Sequence, residues 1–341
     1  MSEDKELKQW KEKLFYQPKN GYDRIDAEQT GEIFAYAEGY KQFLDAARTE
    51  REAVKEAIRM AEAEGFVPYT FGMELQPGSK VYVNNRGKAL MLAVLGQQPL
   101  DHGCVIAGAH IDSPRLDLKQ TPMYEDSELA YFKTHYYGGI KKYQWVTIPL
   151  ELHGTVALKD GSTVDIAIGR EPDEPQFVIT DLLPHLGKDQ MRKTMEEGIT
   201  GEALNIVIGS MPYAGEGRDR VKLAVLSLLH DEYGITEEDF LSAELAAVPA
   251  FPARDIGFDR SMIGAYGQDD RVCAYAELKA IFDTETPYPR RQGGDRLRRR
   301  VRHAVAGVRG LHGRPLRAAG RRAAPLLCQE LLPLGGCLCG L

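Results

Sequence analysis

Four short stretches carry side chains whose types and spacing suit chemistry. His110-Ile111-Asp112-Ser113-Pro114 follows the apolar run Gly103–Ala109. An imidazole at a buried strand end sits where open α/β sheets place ligands. It is a candidate metal ligand, and the carboxylate of Asp112 can hold its other nitrogen, fixing tautomer and ring orientation. The competing reading is a structural histidine beside a solvated aspartate. Gly267-Gln268-Asp269-Asp270-Arg271 opens a helical pattern. Adjacent carboxylates there can cap the helix and meet its positive end. Alternatively one binds a metal while Arg271 neutralises excess negative charge, since carboxylates suit zinc when imidazole completes the shell. His135-Tyr136-Tyr137-Gly138-Gly139, with Lys141, Lys142 and Trp145 after it, reads as a tight aromatic loop in contact with something, or as an ordinary turn. His185, within Leu183-Pro184-His185-Leu186, is a lone histidine in an apolar setting, which is usually a satisfied core residue.

The elements that must position these groups follow from periodicity. Residues 4–64 read as helical. Leu7, Trp10, Leu14 and Phe15 recur at helical spacing, and Ile33, Phe34, Tyr36, Ala37, Tyr40 and Phe43 mark a face over Asp26–Ala47. Thr49 with Glu52 is a capping-box signature for a helix ending at Gly65. The period then changes: Lys80–Asn84 and Ala89–Leu95 read as paired strands around a turn at Asn85–Gly87, and Gly103–Ala109 as a buried strand. Trp145–Leu152, Thr155–Leu158 and Thr163–Ile168 are strand-like, with Asp160-Gly161 turning between the last two. Pro149 marks the first of them as an edge or a bend. Helical and mixed texture returns near Phe240–Ala247, and Arg271–Phe282 is an amphipathic helix.

The composition is globular. Of 341 residues 43% are hydrophobic and 27% charged, and no apolar run is long enough to span a membrane. The start, MSEDKELKQWKEK, lacks the apolar core of a secretory signal. Of five cysteines only Cys104 and Cys273 fall in the first 289 residues, without paired spacing, which argues against a disulfide framework, so a cytoplasmic location is expected. Charge is uneven. Residues 290–341 hold 12 Arg, no Lys and only Asp295 and Glu330 as acids, about +10 against −17 for the rest.

Taken in order, GAHIDSPRLDLK (108–119), HYYGGIKKYQW (135–145), LLPHL (182–186) and GAYGQDDRVCAY (264–275) resemble the M18 family of zinc metalloaminopeptidases, the aspartyl aminopeptidase family, over roughly residues 10–286. The resemblance implies an α/β catalytic domain interrupted by a mostly β insertion domain: 1–115 and 247–289 for the catalytic part, 116–246 for the insertion used in assembly. It also implies two zinc ions per intact subunit, a large homo-oligomer such as a dodecamer, and release of N-terminal residues, in some members acidic ones, from peptide substrates. On this pattern His110 is a zinc ligand, Asp112 the carboxylate that orients it and Asp269 the ligand bridging two metals. His185 is similar to a histidine that reaches a neighbouring subunit's site and helps stabilise the reacting carbonyl.

The family's later motifs, Glu-Glu-Ile-Gly with the general base, Ser-Ala-Asp and a late His, are missing, and the resemblance ends where the Arg-rich segment begins. A reading-frame shift accounts for both. Dropping one base from Pro289 onward lets the codons spell Ala-Asp-Lys-Glu-Glu-Ile-Gly-Ser. Arg302–Val305 can then read Gly-Met-Gln-Ser, Val308–His312 Phe-Glu-Asp-Phe-Met, and Leu334–Cys337 begins Ser-Ala-Asp. Residues 290–341 are accordingly expected to be an out-of-frame tail, disordered or poorly packed, leaving apolar surface on 89–109 uncovered, and the chain as it stands is expected to be inactive. Two other classes compete: a non-catalytic protein that assembles through the β insertion, and nucleic-acid binding through the Arg-rich tail, against which the lack of interleaved aromatics argues.

Overall fold

A computed structural model describes residues 3–98, 103–284 and 304–309. The helices in chain order are Glu3–Leu14 (α1), Ala27–Ala46 (α2), Glu50–Ala63 (α3), Met195–Gly198 (α4), Arg220–Tyr233 (α5) and Gln268–Phe282 (α6). The strands are Val67–Pro68 (β1), Lys80–Asn85 (β2), Ala89–Val94 (β3), Val105–His110 (β4), Arg115–Asp126 (β5), Leu129–Tyr137 (β6), Leu150–Ala157 (β7), Thr163–Ile168 (β8), Ile206–Gly209 (β9), Glu244–Pro249 (β10), Arg254–Ile256 (β11), Met262–Gly264 (β12) and Ala304–Arg309 (β13). They form a mixed five-stranded sheet, β1-β2-β3-β13-β4, a six-stranded antiparallel sheet, β8-β7-β10-β5-β6-β9, and the hairpin β11-β12. The α/β class expected from the sequence is what the structure has.

The two large sheets have separate cores. Phe43 and Leu44 of α2, Val54 and Ala57 of α3, and Ala274, Leu278 and Ile281 of α6 pack on Leu90 and Leu92 of β3 and on Ile111 just past β4. Each fully buried aliphatic side chain of this kind contributes about 1.5–3 kcal/mol. Leu116, Leu150, Leu152, Val156, Ile206, Phe240 and Leu245 fill the second core. Local signals place the helices. Asp26 with Gln29, and Thr49 with Glu52, form complete capping boxes at the starts of α2 and α3.

Several expectations need correction. The helix α1 forms, but Leu7, Trp10 and Leu14 are at least half exposed, because among the described residues nothing packs on that face. Ile33 and Tyr36 of α2 are also exposed; only Tyr40, Phe43 and Leu44 of that helix are buried. The β4 strand is where the apolar run predicts it, yet Val105 and Ile106 are exposed. Its described packing is confined to the far end, where Ala109 and Ile111 join the core. Pro149 does not bend a strand; it precedes β7, which runs unbroken to Ala157 between β8 and β10. Asp160-Gly161 does turn β7 into β8, with Gly161 at φ 88°. Residues 244–249 return as a strand of the six-stranded sheet, not as helix. The tail is not without structure: the small, β-compatible residues Ala304–Arg309 lie between β3 and β4, antiparallel to one and parallel to the other. Leu90, Leu92 and Val94 are buried, so among the described residues of 89–109 the uncovered apolar surface lies along Val105–Ala107 of β4. The rest of the tail, including its other frame-shifted motifs and most of its arginines, lies outside the described residues.

The sheets meet through charge. His153 of β7 is fully buried, with Nδ1 2.9 Å from Glu52 Oε1 of α3 and Nε2 3.4 Å from Glu151 Oε1. Arg48 Nε contacts the same Glu151 oxygen at 2.8 Å, and Arg170 reaches Glu52 at 2.9 Å. Burial alone would depress the His153 pKa, but the hydrogen bonds with Glu151 and Glu52 outweigh it and hold the imidazole above its ordinary value. Burial likewise pulls Glu52 upward, while His153 and Arg170 keep its carboxyl below the ordinary carboxylate range. A raised histidine stabilises the fold fully below its unfolded value of about 6.5, and that contribution fades as pH rises through the folded value. A depressed carboxyl acts in the opposite direction, contributing above its unfolded value and fading as pH falls. The junction is therefore expected to lose stability as pH rises from about 6.5. His153→Gln should flatten that slope in urea unfolding followed between pH 6 and 8. His153→Ala, which removes the imidazole between the Glu52 and Glu151 carboxylates, should cost about 3 kcal/mol.

Candidate metal centre

His110 is the last residue of β4, so its backbone is held by the sheet while its ring projects past the strand end. Asp112, two residues on, is largely buried. The ring's Nδ1 lies 3.2 Å from Asp112 Oδ1 and 3.0 Å from the Asp112 carbonyl. Both partners are acceptors, so Nδ1 carries the proton and Nε2 is directed away. On that far side stands Asp269, with Oδ1 3.3 Å from Nε2. An imidazole nitrogen and a carboxylate oxygen at this spacing are placed to share a metal ion. Tetrahedral zinc with donors at about 2.0–2.1 Å sets two of them about 3.3 Å apart. The Asp269 side chain is 97% exposed, which leaves its second oxygen open.

Helix capping does not explain the aspartates. Gly267 is the N-cap residue, no side chain caps α6, and Asp269 and Asp270 have non-helical backbone angles with a cis peptide between them. Nor is Arg271 a counter-charge to them. Among the described residues it makes no ion pair with either aspartate. It is fully buried, donating from Nε to the Ile111 carbonyl at 3.0 Å and from the terminal nitrogen Nη2 to the Arg48 carbonyl at 3.1 Å. Burial pushes its pKa down from the ordinary value. The ring of Tyr266 lies 5.6 Å from the guanidinium, and its hydroxyl donates to the Pro114 carbonyl at 2.9 Å. Ser113 Oγ donates to the Asp269 carbonyl at 3.3 Å. The turn after β4 is thus tied at three points to the segment that opens α6.

Two further side chains reach the site. Tyr137, the last residue of β6, donates its hydroxyl to Asp112 Oδ2 at 2.6 Å. Burial and then the Asp112 carboxylate push the phenol's pKa well up, so it remains a donor. Arg115 stacks over the Tyr137 ring at 4.4 Å and is held by Glu50 at 3.0 Å and Asp117 at 2.7 Å. The sequence marks Tyr137 only as part of an aromatic, glycine-containing motif, without a partner. Gly138, at φ 76°, lets the chain leave β6 past Pro114. A cavity of about 190 Å³ lies at the sheet junction, lined by Glu50, Arg51, Lys88, Arg115, Asp117 and Glu244 among others. Its charges pair with one another, so it reads as part of the joint.

His185 is not brought to this site. It lies exposed in the turn where Leu186 and Gly187 donate to the Leu183 carbonyl, flanked by exposed Leu182, Leu183 and Leu186. The apolar neighbours do not form a core around it. Among the described residues no group of three or more His, Cys, Asp or Glu is placed to hold a metal ion, so His110, Asp269 and their support form at most part of a shell.

The family model described as aminopeptidase I zinc metalloprotease (M18) matches residues 43–293. The chain belongs to the M18 family. A probable M18 family aminopeptidase 1 from Clostridium acetobutylicum is 49% identical over 275 residues, covering 79% of this chain and 59% of that protein. Its Thermotoga maritima counterpart is 49% identical over 251 residues, 74% of this chain and 55% of that one. The crystal structure of an M18 aminopeptidase from Thermotoga maritima superposes with a TM-score of 0.81 at 40% identity, over 94% of this chain and 68% of that one. An S. cerevisiae mApe1 dodecamer, at 14% identity and a TM-score of 0.64 over 89% of this chain and 67% of that one, shares the fold. This M18 chain thus spans less than three fifths of the length of the curated relatives it matches. Among its described residues no helix is long and apolar enough to cross a membrane.

The tie between the two segments yields a test. A Cβ at Gly267, where φ is 79°, would collide with the Arg271 guanidinium and crowd Ser113. Gly267→Ala should therefore cost about 2–4 kcal/mol, combining left-handed backbone strain with overpacking. Thermal unfolding of the variant beside the native chain measures it.

Proposed function

We propose that this chain carries part of the metal centre of a zinc-dependent aminopeptidase that releases N-terminal residues, in some cases acidic ones, from peptides. The observation that carries this reading is the approach of His110 Nε2 to Asp269 Oδ1, with His110 Nδ1 held by Asp112. Imidazole and carboxylate are donors that zinc accepts, and their spacing fits a shared ion. Bound there, zinc would polarise a scissile carbonyl and acidify a bound water. The chain's own residues do the rest of what is visible. Asp112 holds the proton on Nδ1, which leaves Nε2 as the donor and raises its basicity. Asp269 would supply the carboxylate shared between two ions, its exposed side chain leaving the second oxygen accessible. The β4–α6 ties keep both at fixed separation.

The remaining ligands and the general base that must take the water's proton are assigned to the family motifs that the shifted frame would encode. Residues 116–246 are proposed as the assembly domain of a homo-oligomer, a dodecamer. The His185 loop would then serve a neighbouring subunit, consistent with the exposure of His185 and of Leu182, Leu183 and Leu186 around it. The cytoplasm is the proposed compartment.

Zinc binding and peptide hydrolysis test this directly. The chain as it stands should bind zinc weakly in competition with a chromophoric chelator, and His110→Ala or Asp269→Ala should remove most of what binds. Tight stoichiometric zinc, or variants that bind like the native chain, would show the site to be misplaced. With the frame restored near codon 289, the longer chain should cleave N-terminal residues and stop on addition of a chelator. In that chain His110→Ala and Asp269→Ala should abolish turnover, and Asp112→Asn should lower it by about 10–100-fold. His185→Ala should slow hydrolysis with metal content unchanged.

A further inference from the structure

We propose that Tyr137 is a positioning residue of the metal centre: its hydroxyl locks the Asp112 carboxylate, and that carboxylate sets the tautomer and aim of His110. The inference rests on the reading of His110 as a metal ligand. Asp112 receives a donor on each oxygen, Tyr137 Oη on Oδ2 at 2.6 Å and His110 Nδ1 at 3.2 Å from Oδ1. A carboxylate held on both sides cannot rotate about its terminal torsion without losing one bond. Asp112 is only 8% exposed, so water does not readily replace a lost donor.

Tyr137 is itself fixed from several directions. It closes β6 in register with Arg115 of β5, whose guanidinium covers its ring. Arg115 is pinned by Glu50 at the start of α3 and by Asp117. Strand β6 belongs to the six-stranded sheet, whereas His110 ends a strand of the five-stranded one. The aromatic motif at 135–139 thereby gains a role, because the β-rich part of the chain supplies a group that orients a ligand in the other part. Free imidazole favours a proton on Nε2. The Nδ1–H form at His110 is therefore a signature of its two Asp112 acceptors, the carbonyl at 3.0 Å and the carboxylate at 3.2 Å, and the share lost when Tyr137 is removed reports the carboxylate's part.

The test uses the full chain labelled with ¹⁵N-histidine and free of metal, at a pH where the His110 ring is neutral, with His110→Ala assigning the signal. The native ring should be mainly Nδ1–H. In Tyr137→Phe, which keeps the ring under Arg115, a substantial share should move to Nε2–H with the melting temperature close to native. An unchanged tautomer ratio overturns the proposal. Zinc affinity provides a second readout. Tyr137→Phe should weaken it about 10-fold, the low end for groups behind a ligand, and should add nothing in an Asp112→Ala background. Equal losses in both backgrounds would mean that Tyr137 acts independently of Asp112, which also overturns the proposal. If His110→Ala leaves zinc affinity untouched, the metal reading fails instead, and the metal-free tautomer ratio still decides the role of Tyr137.

Discussion

A buried guanidinium must find acceptors, and Arg271 finds two of them in distant parts of the chain, which it holds together, while its Nη1 has none among the described residues. It is fully enclosed and donates to backbone carbonyls at Ile111 and Arg48, which belong to the turn after β4 and to the link between α2 and α3. Neither carbonyl lies inside a helix or strand, so each is free to accept. Removing a charge from water costs several kcal/mol unless its donors are matched. Any arrangement that separates these three segments would leave Arg271 buried and short of partners. The separation of His110 and Asp269 is a by-product of that constraint, because each stands within two residues of an anchored position.

The same side chain begins a longer path. Arg48, whose carbonyl receives Arg271, sends its own guanidinium to Glu151 and the Phe251 carbonyl. Glu151 meets His153, His153 meets Glu52, and Glu52 caps α3 through Thr49. Glu52 thus serves a helix end with one oxygen and the sheet junction with the other. The start of α3 is joined to the six-stranded sheet through a core of ionisable groups where apolar packing is the commoner solution. Such a junction is specific in geometry and intolerant of losing one partner.

What the sequence made legible was local. The capping boxes at Asp26 and Thr49 involve residues three apart, and both are formed as read. His110 and Asp112 are two residues apart at one strand end, so their contact follows from the chain's direction there. Asp269 is different: nothing in its own neighbourhood points to His110, and only the order of motifs brought the two together. Tyr137 was visible as a motif member, but its bond to Asp112 depends on the pairing of β6 with β5 and on a turn outside both. Periodicity identified the apolar face of α1 without revealing whether anything covers it. Helix α5 is not legible from local pattern: Asp219 makes no capping bond, and the N–H groups of Val221 and Lys222 donate instead to Glu125 of β5, far away in sequence.

The place of β13 has a consequence for how the chain acquires its fold. Strands β3 and β4 follow closely in sequence but are not neighbours in the sheet. The space between them is filled by Ala304–Arg309, which arrives after the whole six-stranded sheet and α6 have been made. On a ribosome, β3 and β4 would each present an unpaired inner edge while the remaining elements are synthesised. Open strand edges invite pairing with other chains, and contacts of such long range form slowly. The β-rich sheet has all its strands within 115–249 and can close on its own during that interval. The nascent chain is therefore most exposed to misassembly at the sheet that bears His110, and its last described strand is the one that closes it.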